Sequence, residues 1–144
     1  MRVVFIRAII LFIIVVPYQL TFREHPAYLH AKGEGDRTPE NVMRYFKEVH
    51  ESCVAYGVRD VLLEMSFTGP SLDTVSIFRI ISQRSPEAVV FRRIAYVDRT
   101  EKLDKARFAE TIAVNRNVNV RLFPDIEAAE RWLSSPEAQA ARAS

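Results

Sequence analysis

Residues 105–133 read KARFAETIAVNRNVNVRLFPDIEAAERWL and show the pattern of a helix, a strand and a second helix. Apolar residues in the middle of this stretch recur with period two, which predicts an extended strand. They are Val118, Val120 and Leu122. Pro124 ends the strand, and Asp125 follows as a suitable N-cap because its carboxylate can accept hydrogen bonds from free amides of the next helix.

Apolar residues on both sides of this strand recur three or four positions apart, which indicates two amphipathic helices. In the first helix they are Leu103, Ala106, Ala109, Ile112 and Ala113. In the second helix they are Ile126, Ala129, Trp132 and Leu133. Asn115 and Asn117 provide turn residues between the first helix and the strand. The stretch therefore indicates alternating helices and strands.

The residues before this stretch continue the alternation. Predicted strands cover residues 18–23, 27–32, 58–65 and 89–97, and predicted helices cover residues 39–56 and 71–84. The predicted loops and breaks are residues 33–36, 66–70 and 85–86. Thr38 and Pro39 are typical of a helix start, and Gly57 is suited to a left-handed residue at the helix end.

The element order is therefore β-β-α-β-α-β-α-β-α, which predicts an α/β fold with a mixed, mostly parallel sheet and about four helices. The turn Glu24-His25-Pro26 joins the first two strands as an antiparallel hairpin. We expect the third and fourth strands at the centre of the sheet, because Val61, Leu62 and Leu63 are consecutive apolar residues of a strand covered on both faces.

Three segments divide the chain of 144 residues: residues 1–16, 17–133 and 134–144. Residues 1–16 are apolar except for Arg2 and Arg7, and resemble a secretory signal without a small-residue cleavage site. Three interpretations of residues 1–16 stay open. The segment is an export signal or short anchor, or translated sequence upstream of a misplaced start codon, or a hydrophobic extension or interfacial helix. Residues 17–133 are the predicted domain, and the Ala- and Ser-rich residues 134–144 a predicted flexible tail.

Composition and charge exclude several classes of function. The net charge of +2 gives no strong field for nucleic acid. Cys53, the single cysteine, lies on an apolar helical stripe with Val42 and Val49, and is expected to be a buried, inert thiol. No spacing of His, Cys and carboxylates predicts a metal site, and no paired nucleophile and base predicts catalysis. We therefore expect neither an enzyme nor a cofactor.

The predicted domain resembles the STAS family, the domain of sulfate transporters and anti-sigma factor antagonists, and is most similar to its stand-alone bacterial SpoIIAA-like branch. The motifs are FAE-x-x-A-x-N-R (108–116), VRLF (120–123) and D-x-E-A-A-E-R-W-L (125–133), with VLLEMS (61–66) in agreement. The resemblance covers roughly residues 18–133. It implies a non-catalytic, cytoplasmic regulatory domain that binds a protein, such as an anti-sigma kinase.

In the anti-sigma factor antagonists, a serine at the start of the helix after the third strand is phosphorylated. The Asp-Ser-Ser-Gly-like motif that usually carries it is absent, and Ser71 is the best positional match, with Thr68 and Thr74 nearby. A phosphate at a helix N-terminus would meet free amides and the positive end of the helix dipole. The alternative is that Ser71 only caps the helix.

A ligand or partner loop is the second site hypothesis. Its residues are Ser66, Thr68, Gly69, Ser71 and Asp98. Asp98 ends a central strand, where open α/β sheets bind ligands, so Ser66, Thr68 and Asp98 are expected to rim one pocket. This hypothesis supports an alternative function, in which the domain binds a small, anionic or lipid ligand. Residues 1–16 would bring such a domain to a membrane.

Three further side-chain positions carry expectations. Glu64 lies within an apolar strand. Its carboxylate is either a buried functional acid or a strand-end group paired with a nearby arginine. Arg92 and Arg93 precede the core of the fourth strand and are expected to face solvent.

Overall fold

The structure is a computed structural model that describes residues 17–135, and its nine elements follow the predicted order. The strands are β1 (Gln19–Glu24), β2 (Leu29–Asp36), β3 (Asp60–Thr68), β4 (Arg93–Asp98) and β5 (Val120–Leu122). The helices are α1 (Pro39–Tyr56), α2 (Thr74–Ala88), α3 (Leu103–Asn115) and α4 (Ile126–Leu133). The predicted α/β class is confirmed.

The five strands form one mixed sheet in the order β1-β2-β3-β4-β5. Strand β1 pairs antiparallel with β2, and a turn at His25–Tyr28 closes this hairpin. The other three pairs are parallel, so each of those connections passes through a helix. Strand β3 is central and β4 lies beside it, as the consecutive apolar residues of β3 predicted.

The two faces of the sheet are covered unequally. Helices α1, α2 and α3 pack on one face, which we call the broad face, and α4 packs on the other, the narrow face. Broad-face residues of the central strands include Leu63, Met65 and Phe67 of β3. Narrow-face residues include Leu62, Ala95 and Val97, against Ala129 and Leu133 of α4. The consecutive apolar residues of β3 are thus explained by burial on both sides.

The predicted helix caps of α1 and α4 are present. Thr38 Oγ1 accepts from Asn41 N at 3.1 Å, and Asp125 Oδ1 accepts from Ala128 N at 2.8 Å. Gly57 ends α1 in the left-handed conformation with φ 68°, which glycine adopts without Cβ strain. These ends are set by local hydrogen bonds, which is why short sequence patterns locate them.

The predicted loop at residues 33–36 is wrong, because these residues are the second half of β2. All four pair with β3, from Gly33↔Met65 to Asp36↔Thr68, and Gly33 and Glu34 also pair with β1. A Cβ on Gly33 would lie 2.5 Å from Cδ1 of the buried Tyr45. The glycine in this strand therefore allows close packing of α1, and does not mark a loop.

The predicted bounds of α2 are also wrong. Its N-cap is Asp73, whose Oδ1 accepts from Ser76 N at 2.7 Å, so Ser71 lies two residues before the cap. The helix continues through Pro86 to Ala88 instead of ending at residue 84. Ser85 Oγ donates to Ile81 O at 2.5 Å in this last turn. The residues predicted as a loop at 66–68 belong to β3, which extends to Thr68.

The start of β4 and the exposure of Arg93 differ from expectation as well. Val89 and Val90 are exposed and precede the strand, which begins at Arg93. Arg93 is buried, with its guanidinium carbon 4.4 Å from the centre of the Trp132 ring of α4. The side chain of Arg92 is only partly exposed, and its Nε lies 3.5 Å from Asp60 Oδ1. Cation–π contact and ion pairing explain why neither arginine is fully solvated.

The predictions for residues 1–16 and the tail from residue 136 onward lie outside the described residues, so the proposed domain boundaries stay predictions. Between residues 17 and 135, every helix is too short or too polar to span a bilayer.

Candidate functional site

Three parallel strands end at the same edge of the sheet and bring together loops that are distant in sequence. Arg37 follows β2, residues 69–73 follow β3, and residues 99–102 follow β4. We call this region, with Asp98 at the end of β4, the carboxyl edge. Loops at the carboxyl ends of parallel strands are where α/β sheets most often bind ligands.

Arg37 joins all three loops of the carboxyl edge. Its guanidinium donates to Phe67 O at 2.8 Å, to Thr100 Oγ1 at 3.0 Å and to the carbonyl oxygen of Gly69. Its Nε lies 3.5 Å from Glu101 Oε2, and both side chains are only 8% exposed. A buried, charge-assisted network of this kind holds the loops in fixed relative positions.

Ser71 is part of the same network through Glu101. Ser71 Oγ donates to Glu101 Oε1 at 2.6 Å, and Lys102 N donates to the same oxygen at 2.8 Å. The Glu101 carboxylate thus lies between the Ser71 hydroxyl and the Arg37 guanidinium. A hydroxyl in this position is close to both a fixed anion and a fixed cation.

Asp98 is held beside this network by its own hydrogen bonds. Tyr96 donates its hydroxyl to Asp98 Oδ2 at 2.8 Å, while the backbone N–H groups of Glu101 and Thr100 donate to Oδ1 at 3.0 and 3.3 Å. Burial raises the pKa of Asp98 above its ordinary value, and these hydrogen bonds oppose the rise. Asp98 therefore shapes the turn after β4.

The structure does not bring all the predicted loop residues together. Gly69, Ser71 and Asp98 lie at the carboxyl edge, as the strand order implied. Ser66 and Thr68 alternate with Met65 and Phe67 along β3, so their side chains project on the narrow face. Asp98 belongs to the broad face with Tyr96, so Ser66, Thr68 and Asp98 do not rim one pocket.

Two other predicted positions have structural partners. Glu64 is buried on the narrow face, where its Oε1 lies 2.7 Å from His30 Nε2 and its Oε2 lies 3.8 Å from Arg99 Nε. The predicted arginine pairing is thus present, with a histidine added. Cys53 is buried as predicted, and burial raises the pKa of its thiol to about 11, which disfavours the reactive thiolate. Residues 17–135 contain no group of three or more potential metal ligands.

Sequence reasoning missed Arg37 and Glu101, the two charged residues at the centre of the site. The partners that tie them to the other loops are 30 or more residues away in sequence, so local spacing gives no sign of them. The only available signal is position: Arg37 directly precedes a helix start, and Glu101 follows Asp98 at the end of a central strand. Both positions fall at the carboxyl edge once the strand order is known.

Comparison with known proteins identifies the fold. No protein-family model matches the chain, and no curated protein matches it either. Among solved structures, it is similar to the crystal structure of an anti-sigma factor antagonist from Mycobacterium paratuberculosis, with a TM-score of 0.55 and 11% sequence identity. The similarity covers 83% of this chain and 96% of that chain. At this identity the likeness shows the fold alone, and it confirms the STAS-like fold of the SpoIIAA type that the sequence motifs indicated.

Proposed function

We propose that this protein is a non-catalytic regulatory domain that binds a protein partner through the carboxyl edge, and that phosphorylation of Ser71 controls this binding. The observation that carries the proposal is the placement of Ser71 Oγ 2.6 Å from Glu101, with Arg37 on the other side of that carboxylate. The likeness in fold to an anti-sigma factor antagonist supports the regulatory class.

Phosphorylation at Ser71 would change the charge balance of the carboxyl edge. A phosphoserine carries about −1.5 to −2 charges at neutral pH and cannot donate to Glu101 as the hydroxyl does. It would repel the Glu101 carboxylate and compete with it for the Arg37 guanidinium, since Arg–phosphate hydrogen bonds are strong. The loops after β3 and β4 would then separate or rearrange, which alters the surface offered to a partner.

Phosphopeptide mapping tests the modification directly. The protein is isolated from the cells that express it naturally, with phosphatase inhibitors, and its peptides are analysed by mass spectrometry. We expect phosphate on Ser71. Phosphate on Thr68 or Thr74 instead would move the proposed switch away from the Ser71–Glu101 pair.

Binding measurements test the consequence of the charge. Partners cross-linked to the wild-type protein are quantified for Ser71→Ala, Ser71→Glu and, as a control for added charge alone, Thr111→Glu on the exposed surface of α3. The proposal expects Ser71→Glu to change partner recovery while Thr111→Glu does not. Equal recovery with Ser71→Ala and Ser71→Glu would contradict control by charge at this site.

A module for small ligands is the second candidate, and one observation favours it. The domain has an apolar cavity between α2 and the sheet, next to the carboxyl edge. An anionic ligand has less support, because Glu101 already pairs with Arg37 there. Membrane association through residues 1–16, and with it a lipid ligand, stays a prediction.

A further inference from the structure

Helix α2 stands away from the sheet that it covers. It packs mainly between α1 and α3, and its only buried side chains are Ile77, Ile80 and Ser85. Helix α1, in contrast, packs directly on β2. The space between α2 and the central strands is a partly open cavity of about 140 Å³.

The walls of this cavity are almost entirely apolar. The strands contribute Val61, Leu63, Met65, Phe67 and Ile94, and the helices contribute Val49, Ile80, Ile81, Ala109 and Ala113. Its polar lining residues include Arg37, Asp98 and Glu101 at the carboxyl edge, and the others are His50, Arg84, Ser85, Glu87, Lys105 and Glu110. A site with apolar walls and a few polar groups is the usual form of a pocket for small molecules.

We infer that this cavity binds a small, neutral, apolar molecule of about the size of benzene. An apolar cavity of about 150 Å³ in another protein stays dry and binds benzene or xenon, so the volume here is sufficient. The Tyr96 hydroxyl already donates to Asp98, and the charges of Arg37 and Glu101 are paired. Arg37, Asp98 and Glu101 thus have partners within the protein. Lys105 adds one charged side chain to a lining that is otherwise almost entirely apolar, so the site favours an uncharged ligand over an anion.

The cavity is in contact with the Ser71 loop. Leu72 lines it and directly follows Ser71, and Glu101, the hydrogen-bond partner of Ser71, lines it as well. A bound ligand would pack against Leu72 and restrict this loop. The binding itself does not depend on phosphorylation of Ser71, so the two proposals can fail separately.

Benzene added to the unphosphorylated full chain tests the inference. We expect a higher Tm with increasing benzene, because a ligand that binds only the native state stabilises it, and NMR shifts in the methyl groups of Leu63, Ile80 and Leu72. Ala113→Leu adds atoms to the cavity wall and is expected to weaken benzene binding at least about tenfold. Val114→Leu enlarges the neighbouring, exposed residue and is expected to leave binding unchanged.

Three results of the benzene experiment would overturn the inference. They are unchanged Tm and methyl shifts with benzene, wild-type affinity in Ala113→Leu, and shifts confined to residues outside the cavity. If Ala113→Leu does not fold, Ala109→Leu fills the same cavity from the same helix. Xenon density between α2 and β3 in pressurised crystals would confirm the location, and its absence there would oppose it.

Discussion

Arg37 is the residue on which the geometry of the carboxyl edge depends. Its guanidinium donates to Gly69 O and Thr100 Oγ1 in the loops after β3 and β4, while its own backbone N–H donates to Thr68 O at 2.7 Å. An arginine suits this position better than a lysine, because its planar group offers five donors in fixed directions. One side chain therefore keeps Ser71 and Glu101 at the distance that the proposed function requires.

Replacing Arg37 with methionine is expected to lower the free energy of unfolding by about 3 kcal/mol, because it leaves the Glu101 carboxylate buried without its cation. Lys47→Met is the matched control, since its pair with Glu51 is exposed on both sides and is expected to contribute less than about 1 kcal/mol. Urea denaturation of both variants measures the difference. Similar losses in the two variants would show that the Arg37 network does not stabilise the fold.

At the scale of single elements, helix α2 is capped by Asp73 and not by Ser71, so the helix cap and the proposed Ser71 site are different residues. Hydrogen bonds from Ser76 hold the pKa of Asp73 below its ordinary value of 3.8, as expected for a capping carboxylate. A carboxylate with a lowered pKa stabilises the fold above its unfolded pKa, and this contribution is lost as the pH falls through the folded pKa. The cap is thus pH-dependent, whereas the Ser71–Glu101 hydrogen bond belongs to a different part of the loop.

We expect Asp73→Ala to lower Tm at pH 7 and to accelerate exchange of the Ser76 amide hydrogen, because that amide loses its acceptor. Asp73→Asn retains a capping oxygen that does not titrate. Its Tm is expected to resemble that of the wild type at pH 7 and to fall less than the wild-type Tm as the pH drops below 3.8. Ser71→Ala is expected to leave exchange at Ser76 unchanged. Faster exchange at Ser76 in Ser71→Ala would return the capping role to Ser71.

Most element ends that are fixed by local hydrogen bonds were predictable, whereas the start of α2 was not, because Ser71 and Asp73 are both suitable caps and Asp73 is the one used. Thr38, Gly57 and Asp125 mark their helix ends through bonds to residues within a few positions. Gly33 and Gly35 look like loop residues locally, yet β3 pairs with both of them and β1 pairs with Gly33, so that β2 extends through them. Strand pairing across the sheet outweighs the weak strand preference of glycine.

The candidate site was predictable only to the level of the strand ends. Asp98 was placed at this edge because the carboxyl ends of parallel strands share an edge, whereas Ser71 was chosen from its position in the family resemblance. The orientation of Ser66 and Thr68 depends on how far β3 extends, since each added strand residue alternates between faces. The roles of Arg37 and Glu101 follow from contacts between loops, which no local pattern in the sequence records.

For the whole molecule, helices α1 and α2 differ in how closely they pack on the sheet. We expect α1 to be rigid and α2 to be able to move when a ligand binds. Helix α1 buries Val42, Tyr45, Val49 and Cys53 against the sheet side of the core. Helix α2 lies above the cavity and leaves Val75 and Phe78 largely exposed. Segments with few buried apolar contacts open at lower free energy than the core, and functional motions use such segments.

Amide hydrogen exchange is therefore expected to be faster in α2 than in α1. After correction for intrinsic rates, amides of α2 should exchange at least about tenfold faster than those of α1, because α1 packs on β2 and α2 has the cavity beneath it. Strand β3, paired on both sides and buried on both faces, provides the slow reference. Mass-spectrometric exchange on peptides from residues 45–53, 60–68 and 77–84 gives the three rates. Equal protection in α1 and α2 would mean that the Ser71 loop is anchored to a helix as rigid as the core, and that a switch at this edge has to act without moving α2.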